Sequence, residues 1–207
     1  MTSASSAAER LPIADAPLAA LRPLTARDFR NPAVLLTGPM DYAMYRSFRD
    51  QLAAAAQAPL AIVELSTLGG DPEVARMMGE DIRFHSELEP QRRFAFLGKA
   101  TIYSAGTTFM GFFARANRYL TRGTRLMIHE RRLTRTLHID GPLTTCGADV
   151  RAVLNEIEGS IEIQNEGFAN LILGSDVTMP ELLSKAPCNW YLEAQEAKAR
   201  GLVEDVI

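Results

Sequence analysis

The sequence is poor in the residues that build metal centres and disulfide frameworks. It contains 2 cysteines and 3 histidines among 207 residues. Cys146 and Cys188 are too few for a framework of bridges, and the histidines do not stand at metal-ligand spacing from them. We therefore expect no metal, no cofactor and no stabilising disulfide. Such cysteine usage is typical of a protein from the reducing cytoplasm.

An excess of positive charge and a long apolar run are also missing. The formal net charge of -3 argues against nucleic acid as a partner, because a nucleic-acid-binding protein needs a basic face. No apolar run reaches the roughly 18 residues that a membrane-spanning helix requires. The N-terminal region lacks a basic start followed by an apolar stretch, so we expect no secretory signal and a cytoplasmic location.

The chain divides at about residue 32. Residues 1–32 are rich in Ala, Ser, Pro and Arg and predict an irregular N-terminal arm. Residues 33–207 are long enough for one domain with a sizeable core. Apolar patterning predicts strands at 33–38, 60–66, 93–98, 118–121 and 125–129, and helices at 41–56, 72–85 and 104–116. This alternation predicts an α/β fold with a largely parallel sheet.

The second half of the chain contains a long amphipathic pattern. Residues 147–175 predict one helix, with an apolar stripe formed by Val150, Leu154, Ile157, Ile161, Phe168 and Leu171. At 1.5 Å per residue such a helix is about 43 Å long, which exceeds what one small domain can cover. We therefore expect a second copy of the chain to cover the stripe, in a homo-oligomer. Residues 189–207 predict a short strand, a helix that ends at Gly201, and a final strand.

Three residues or pairs that suit acyl transfer follow predicted strands. The pair Gly69-Gly70 follows the second strand, Ser104 follows the third, and His129 ends the strand at 125–129. Because the carboxyl ends of parallel strands meet at one edge of a sheet, we expect these groups to lie together. Ser104 would be the nucleophile and His129 its general base. The backbone N–H groups of Gly70 and Ala105 would stabilise the oxyanion.

Each of these features also has an ordinary structural interpretation. A Gly-Gly pair after a strand is often only a turn, and a serine at the start of a helix is often an N-cap. A histidine at the end of a strand is often exposed or structural. Their convergence on one sheet edge favours the hydrolase interpretation over the separate structural ones.

At these residues the chain resembles the proteolytic subunit of Clp proteases, serine peptidases with a ClpP/crotonase-like fold. The likeness covers residues 33–207 and rests on four segments: STLGG at 66–70, ATIYSAG at 100–106, MIHE at 127–130 and NWYLEAQEAKARGLVED at 189–205. The resemblance implies hydrolysis of peptides or unfolded protein chains. It also implies a homo-oligomer of stacked rings, and an AAA+ unfoldase as a partner.

The resemblance also has departures. The third triad position, an Asp in the family, corresponds to Asn189, which is able to orient the imidazole but adds no charge. Leu68 replaces the family's proline, and residues 130–146 are longer than the family's corresponding segment, which leaves ring size and the ATPase partner open. Two alternatives remain: a catalytically weak or silent assembly subunit, and a crotonase-type acyl-CoA enzyme. The interval from Ser104 to His129, which matches the Clp family's, disfavours the acyl-CoA enzyme.

Other charged or titratable residues are weaker candidates. A basic cluster follows His129 and consists of Arg131, Arg132 and Arg135. It is expected to recognise an acidic group of a substrate, to pair with acidic residues of a neighbouring subunit, or to be a solvated charged loop. Asp176 is an alternative acidic triad member, although we favour it as the N-cap of a helix at 178–184.

His138 is an alternative base, but it lies away from any predicted strand end. Cys188, beside Asn189, is interpreted as a buried apolar residue.

Overall fold

The fold positions a forked, mostly parallel sheet under a layer of helices. It is described from a computed structural model, which covers residues 22–207. The strands in this range are β1 (Val34–Thr37), β2 (Leu60–Thr67), β3 (Arg93–Tyr103), β4 (Arg118–Leu120), β5 (Arg125–Ile128), β6 (Trp190–Glu193) and β7 (Asp205–Val206). The α-helices are α1 (Tyr42–Ala54), α2 (Pro72–Leu88), α3 (Ala105–Met110), α4 (Leu143–Ile172), α5 (Met179–Lys185) and α6 (Ala194–Ala199). Within residues 22–207 no helix is long and apolar enough to cross a membrane.

Strand β3 is the branch point of the sheet. Strands β1, β2 and β3 pair in parallel, and β3 then has two further partners. Its first half pairs in parallel with β4, which in turn pairs with β7. Its second half pairs in parallel with β5, and β6 joins β5 antiparallel. The expected α/β fold with a largely parallel sheet is therefore confirmed.

Strand β3 pairs with both β4 and β5 because it is long enough to do so. The sequence pattern predicts a strand that ends at residue 98, whereas β3 continues to Tyr103. Lys99 and Ala100 interrupt the apolar pattern because both are exposed, and Ala100 has a φ of 57°. This bend turns the last three residues of β3 toward β5. The sequence contains no signal for it, because Ala seldom adopts a positive φ.

The main core lies between the sheet and helices α1 to α3. Phe48 of α1, Met78 of α2 and Phe109 of α3 are fully buried there. A smaller cluster fills the other face of the sheet, where Leu24 and Phe29 contact Tyr119 and its neighbours. Residues 22–32 thus contribute to packing, with a short 3₁₀-helix at Asp28–Arg30. The rest of the predicted arm lies outside the described residues, and the division of the chain at residue 32 stays a prediction.

A buried arginine ends two helices. Arg118 is 2% exposed and donates five hydrogen bonds, all to backbone carbonyls. The acceptors include Gly111 and Phe113 after α3, and Asn170 and Leu171 at the end of α4. These carbonyls no longer need helical partners, so α3 stops at Met110 rather than continuing to residue 116 as its apolar pattern predicts.

Helix α4 begins and ends earlier than the pattern predicts. It starts at Leu143 rather than 147, directly after Pro142, because a proline is tolerated at a helix start, where its missing N–H is not needed. It ends at Ile172 rather than 175, since Leu173 leaves the helical conformation. Only Phe168 and Leu171, near the C-terminal end, are buried.

Helix α4 is about 45 Å long. Before Phe168 it carries an apolar stripe that is exposed. Val150, Leu154, Ile157 and Ile161 stay exposed, Leu154 to 50%. The long helix that the sequence predicts is therefore present, and four residues of its apolar stripe are left exposed.

Candidate active site

Ser104 stands at a strained junction between β3 and α3. Its φ of 56° and ψ of -117° lie outside the regions that residues with a Cβ normally occupy. Its N–H donates to the carbonyl of Met127 at 2.8 Å, and its own carbonyl accepts from the backbone N–H and the hydroxyl of Thr107. The side chain makes no N-cap hydrogen bond to α3. The hydroxyl is therefore free of the ordinary capping role.

The Ser104 hydroxyl instead contacts His129. The distance from its Oγ to Nε2 of His129 is 2.5 Å. His129 follows β5 directly, and β5 pairs with the second half of β3, which ends beside Ser104. The two parallel strands thus bring together a serine and a histidine that are distant in the sequence. A hydroxyl and an imidazole nitrogen in such contact are a nucleophile and a base within proton-transfer reach.

The surroundings of His129 keep its imidazole neutral. Burial lowers the pKa of His129 below its usual value, and the positive charge of Arg132 lowers it further. A hydrogen bond to the backbone of Glu130 acts in the opposite direction and is the smallest of the three effects. A histidine whose pKa lies below the usual value of about 6.5 is mostly unprotonated at neutral pH. The ring is therefore in the form that accepts the serine proton.

Gly69 is held against Ser104 so closely that no side chain fits. A Cβ added to Gly69 would lie 2.8 Å from Cβ of Ser104 and 3.3 Å from its Oγ. The turn is fixed by Thr67, whose hydroxyl accepts from the Gly69 N–H at 3.0 Å and donates to the Gly69 carbonyl at 3.2 Å. Sequence reasoning missed Thr67, although a buried threonine two residues before a glycine is a recognisable turn signal.

The backbones of Gly70 and Ala105 lie at the cleft that contains Ser104. Both residues line one cleft with Ser104 and His129. Met40 holds the Gly70 segment from the other side, by accepting from the Asp71 N–H at 2.8 Å and donating to the Gly69 carbonyl at 3.0 Å. Within residues 22–207 the N–H groups of Gly70 and Ala105 take part in no hydrogen bond outside regular elements. Two such donors beside a serine hydroxyl are what an oxyanion hole requires.

The side chain of Asn189 makes no hydrogen bond to His129 in the part of the chain that the structure describes. Asn189 precedes Trp190, which pairs with Ile128, so its backbone lies opposite His129 at the end of the β5–β6 ladder. Its side chain is exposed. Its φ of 57° is left-handed, a conformation that Asn tolerates better than most residues. The orienting role of Asn189 stays a prediction.

One of the weaker candidates, Asp176, has another partner. Asp176 forms an ion pair with Arg200 at 2.6 Å. The prediction that Asp176 caps the following helix is wrong, because Thr178 caps α5 through its hydroxyl, which accepts from the Glu181 N–H. Asp176 stands before the cap position and does not reach the free N–H groups of α5.

His138 is exposed in the irregular segment 129–142. Cys188 is also exposed, which contradicts its interpretation as a buried residue.

The cleft that contains Ser104 has a volume of about 670 Å³, its open mouth included. Pro72, Thr108 and Phe168 are among the other residues that line it. Phe168 comes from the C-terminal end of α4, far along the chain from Ser104, and no local pattern marks it as a cleft residue. Among residues 22–207 no group of three or more His, Cys, Asp or Glu side chains is placed to hold a metal ion.

Comparison with known proteins identifies the fold but not a close relative. No protein family model matches the sequence, and no curated protein matches it either. Among solved structures, the chain is similar to ClpP1 from Listeria monocytogenes, in a variant with one asparagine replaced by aspartate. The TM-score is 0.66 over 84% of this chain and 90% of that one. The chain has a ClpP-like fold. At 18% sequence identity, the similarity establishes the ClpP-like architecture alone.

Proposed function

We propose that the protein is a serine peptidase that hydrolyses peptides or unfolded protein chains through an acyl-enzyme. The observation that carries the proposal is the 2.5 Å contact between Oγ of Ser104 and Nε2 of His129. Two further features support it: the strained backbone of Ser104 and the backbone N–H groups beside it. Strain of this kind persists where the surrounding structure enforces it, and it is concentrated at functional sites.

The chemistry follows from these positions. Nε2 of His129 removes the proton from Ser104 as Oγ attacks the carbonyl carbon of the scissile bond. The carbonyl oxygen becomes an oxyanion, which the N–H groups of Gly70 and Ala105 stabilise. The imidazolium then gives its proton to the departing amine, which leaves an acyl group on Ser104. Water, activated by the same imidazole, hydrolyses this ester and regenerates the serine.

The test is covalent labelling with a fluorophosphonate, followed by an assay with small esters and short peptides. We expect label on Ser104 and slow hydrolysis of the esters. Ser104→Ala abolishes both, whereas Ser184→Ala is a matched control in the exposed part of α5 and changes neither. Equal hydrolysis by the protein and by Ser104→Ala would contradict the proposal.

The second candidate is a silent assembly subunit, and the exposed side chain of Asn189 favours it. Without a partner for Nδ1 from Asn189, the imidazole lacks the third group of a triad. Asn189→Gly separates the two candidates, because glycine keeps the left-handed backbone and removes the amide. Loss of Ser104 labelling in Asn189→Gly would show that the amide orients His129 during catalysis. Absence of labelling in the unchanged protein as well as in every variant would favour the silent subunit.

Both candidate functions are compatible with self-association of the chain. The exposed stripe on α4, formed by Val150, Leu154, Ile157 and Ile161, is the kind of surface that obligate interfaces bury. We propose a homo-oligomer that uses this stripe and the preceding segment, in the manner of stacked rings. An AAA+ unfoldase partner and a cytoplasmic location are part of the same proposal.

A further inference from the structure

One arginine in the cleft of Ser104 has no partner among residues 22–207. Arg131 and Arg132 both line that cleft, but Arg131 forms an ion pair with Glu73. Arg135, three residues further on, forms an ion pair with Glu156 outside the cleft. Arg132 is exposed and forms no ion pair or side-chain hydrogen bond with any residue in the described range. Its charge is therefore available to a ligand in the cleft.

The groups around Arg132 leave the cleft wall positive. Glu73 is shared between Arg131 and Arg76, so one carboxylate faces two guanidinium groups. Glu130 also lines the cleft, without an ion pair in the described range. The charged side chains that line the cleft itself are Glu130, Arg131 and Arg132, which leave one net positive charge beside the neutral His129. An anionic ligand is the complement of this wall.

The charge of Arg132 also reaches the catalytic base. It opposes protonation of His129, and protonation is what His129 must undergo when Ser104 attacks. A carboxylate bound to Arg132 would neutralise that charge and favour the imidazolium. A substrate with a carboxylate there would thus be bound better, and its transition state would be stabilised as well.

We propose that Arg132 is a specificity-determining residue, which selects peptides with a carboxylate beside the bond that Ser104 attacks. The inference rests on the proposed peptidase function. Arginine suits this role, since its planar fork binds a carboxylate through two parallel hydrogen bonds. The carboxylate belongs either to an acidic side chain or to the end of the peptide, and the experiment distinguishes these sources.

Binding is measured first, because it does not depend on turnover. Fluorescently labelled tripeptide amides ending in Glu, Gln or Lys are titrated into the full-length Ser104→Ala protein and followed by anisotropy. We expect the Glu peptide to bind about three- to fivefold more tightly than the Gln peptide, which lies in the upper part of the range for one exposed ion pair. The preference disappears in Arg132→Gln and is partly kept in Arg132→Lys. Arg135→Gln is the matched control and retains the full preference.

The possible results separate the inference from the proposed function. A Gln peptide with a free C-terminus that binds more tightly than both amides assigns the carboxylate to the chain end, whereas tighter binding of the Glu amide assigns it to the side chain; either result supports the inference. Equal affinities of the Glu amide, the Gln amide and the free-acid Gln peptide, no measurable binding of any peptide, or a preference for Lys would overturn it. The last result would assign selectivity to Glu130. Hydrolysis by the protein with an active Ser104 tests the peptidase proposal independently, through the ratio of kcat/KM for Glu and Gln substrates.

Discussion

The sharpest test of the site is a methyl group placed on Gly69. Gly69 has a φ of 108°, a conformation that a residue with a Cβ rarely adopts, and its added Cβ would lie 2.8 Å from Cβ of Ser104. Gly38 offers a matched control, since its φ is 112° and no atom lies within 4 Å of an added Cβ. Comparison of the two alanine variants separates backbone strain from the contact with the nucleophile.

We expect Gly38→Ala and Gly69→Ala to lower the free energy of unfolding by a similar strain cost, about 1–3 kcal/mol. Only Gly69→Ala must also move Ser104, because the added Cβ approaches Cβ of Ser104 more closely than unbonded carbon atoms tolerate. A displacement of about 1 Å in a catalytic group costs about 100-fold in rate. The labelling rate of Ser104 should therefore fall about 100-fold in Gly69→Ala and stay unchanged in Gly38→Ala.

Urea denaturation measures the first quantity, and the rate of fluorophosphonate labelling measures the second. Both variants must be compared at a urea concentration where they are fully folded, so that lost labelling is not lost structure. Labelling of Gly69→Ala at the original rate would refute the close packing of Gly69 on Ser104. An equal loss of labelling in both variants would mean that backbone strain at the sheet edge, and not the contact of residue 69 with Ser104, determines the labelling rate of Ser104.

Four further outcomes follow from the structure. Labelling of Ser104 should rise with pH through a midpoint below 6.5, because the lowered pKa of His129 leaves its base form present at mildly acidic pH; a midpoint above 6.5 would contradict this environment. Asn189→Asp should keep or raise the rate of ester hydrolysis, measured beside the unchanged protein, and a large loss would mean that the site requires the amide. Arg118→Met should lower the free energy of unfolding by about 3–5 kcal/mol in urea denaturation, because buried carbonyls lose their donors; a loss below about 1 kcal/mol would contradict its role. Leu154→Glu should convert the proposed oligomer to a 22.7 kDa monomer in light scattering, whereas a protein that is already monomeric would refute the proposed interface.

The order of elements could be predicted because apolar periodicity is a local property. Strands β1, β2 and β5, and helices α1 and α2, begin and end within three residues of their predicted limits. The errors arise where a side-chain hydrogen bond, which apolar periodicity does not record, sets the end of a helix. Helix α3 is short because Arg118 binds carbonyls after it, and Thr178 caps α5 in place of Asp176. In the site, the approach of Ser104 to His129 follows from strand order, whereas the position of the Asn189 side chain does not.

Backbone strain explains why the last part of the site escapes sequence analysis. Three residues other than glycine in the range 22–207 have a positive φ: Ala100, Ser104 and Asn189. Ala100 bends β3 toward β5, Ser104 directly follows that same strand, and Asn189 directly precedes the strand that pairs with the His129 end of β5. Each therefore lies where the second branch of the sheet brings Ser104, His129 and Asn189 to one edge. Such conformations cost about 1–3 kcal/mol each and persist only where the surrounding fold enforces them. Because the cost comes from tertiary structure, no spacing or composition in the sequence records it.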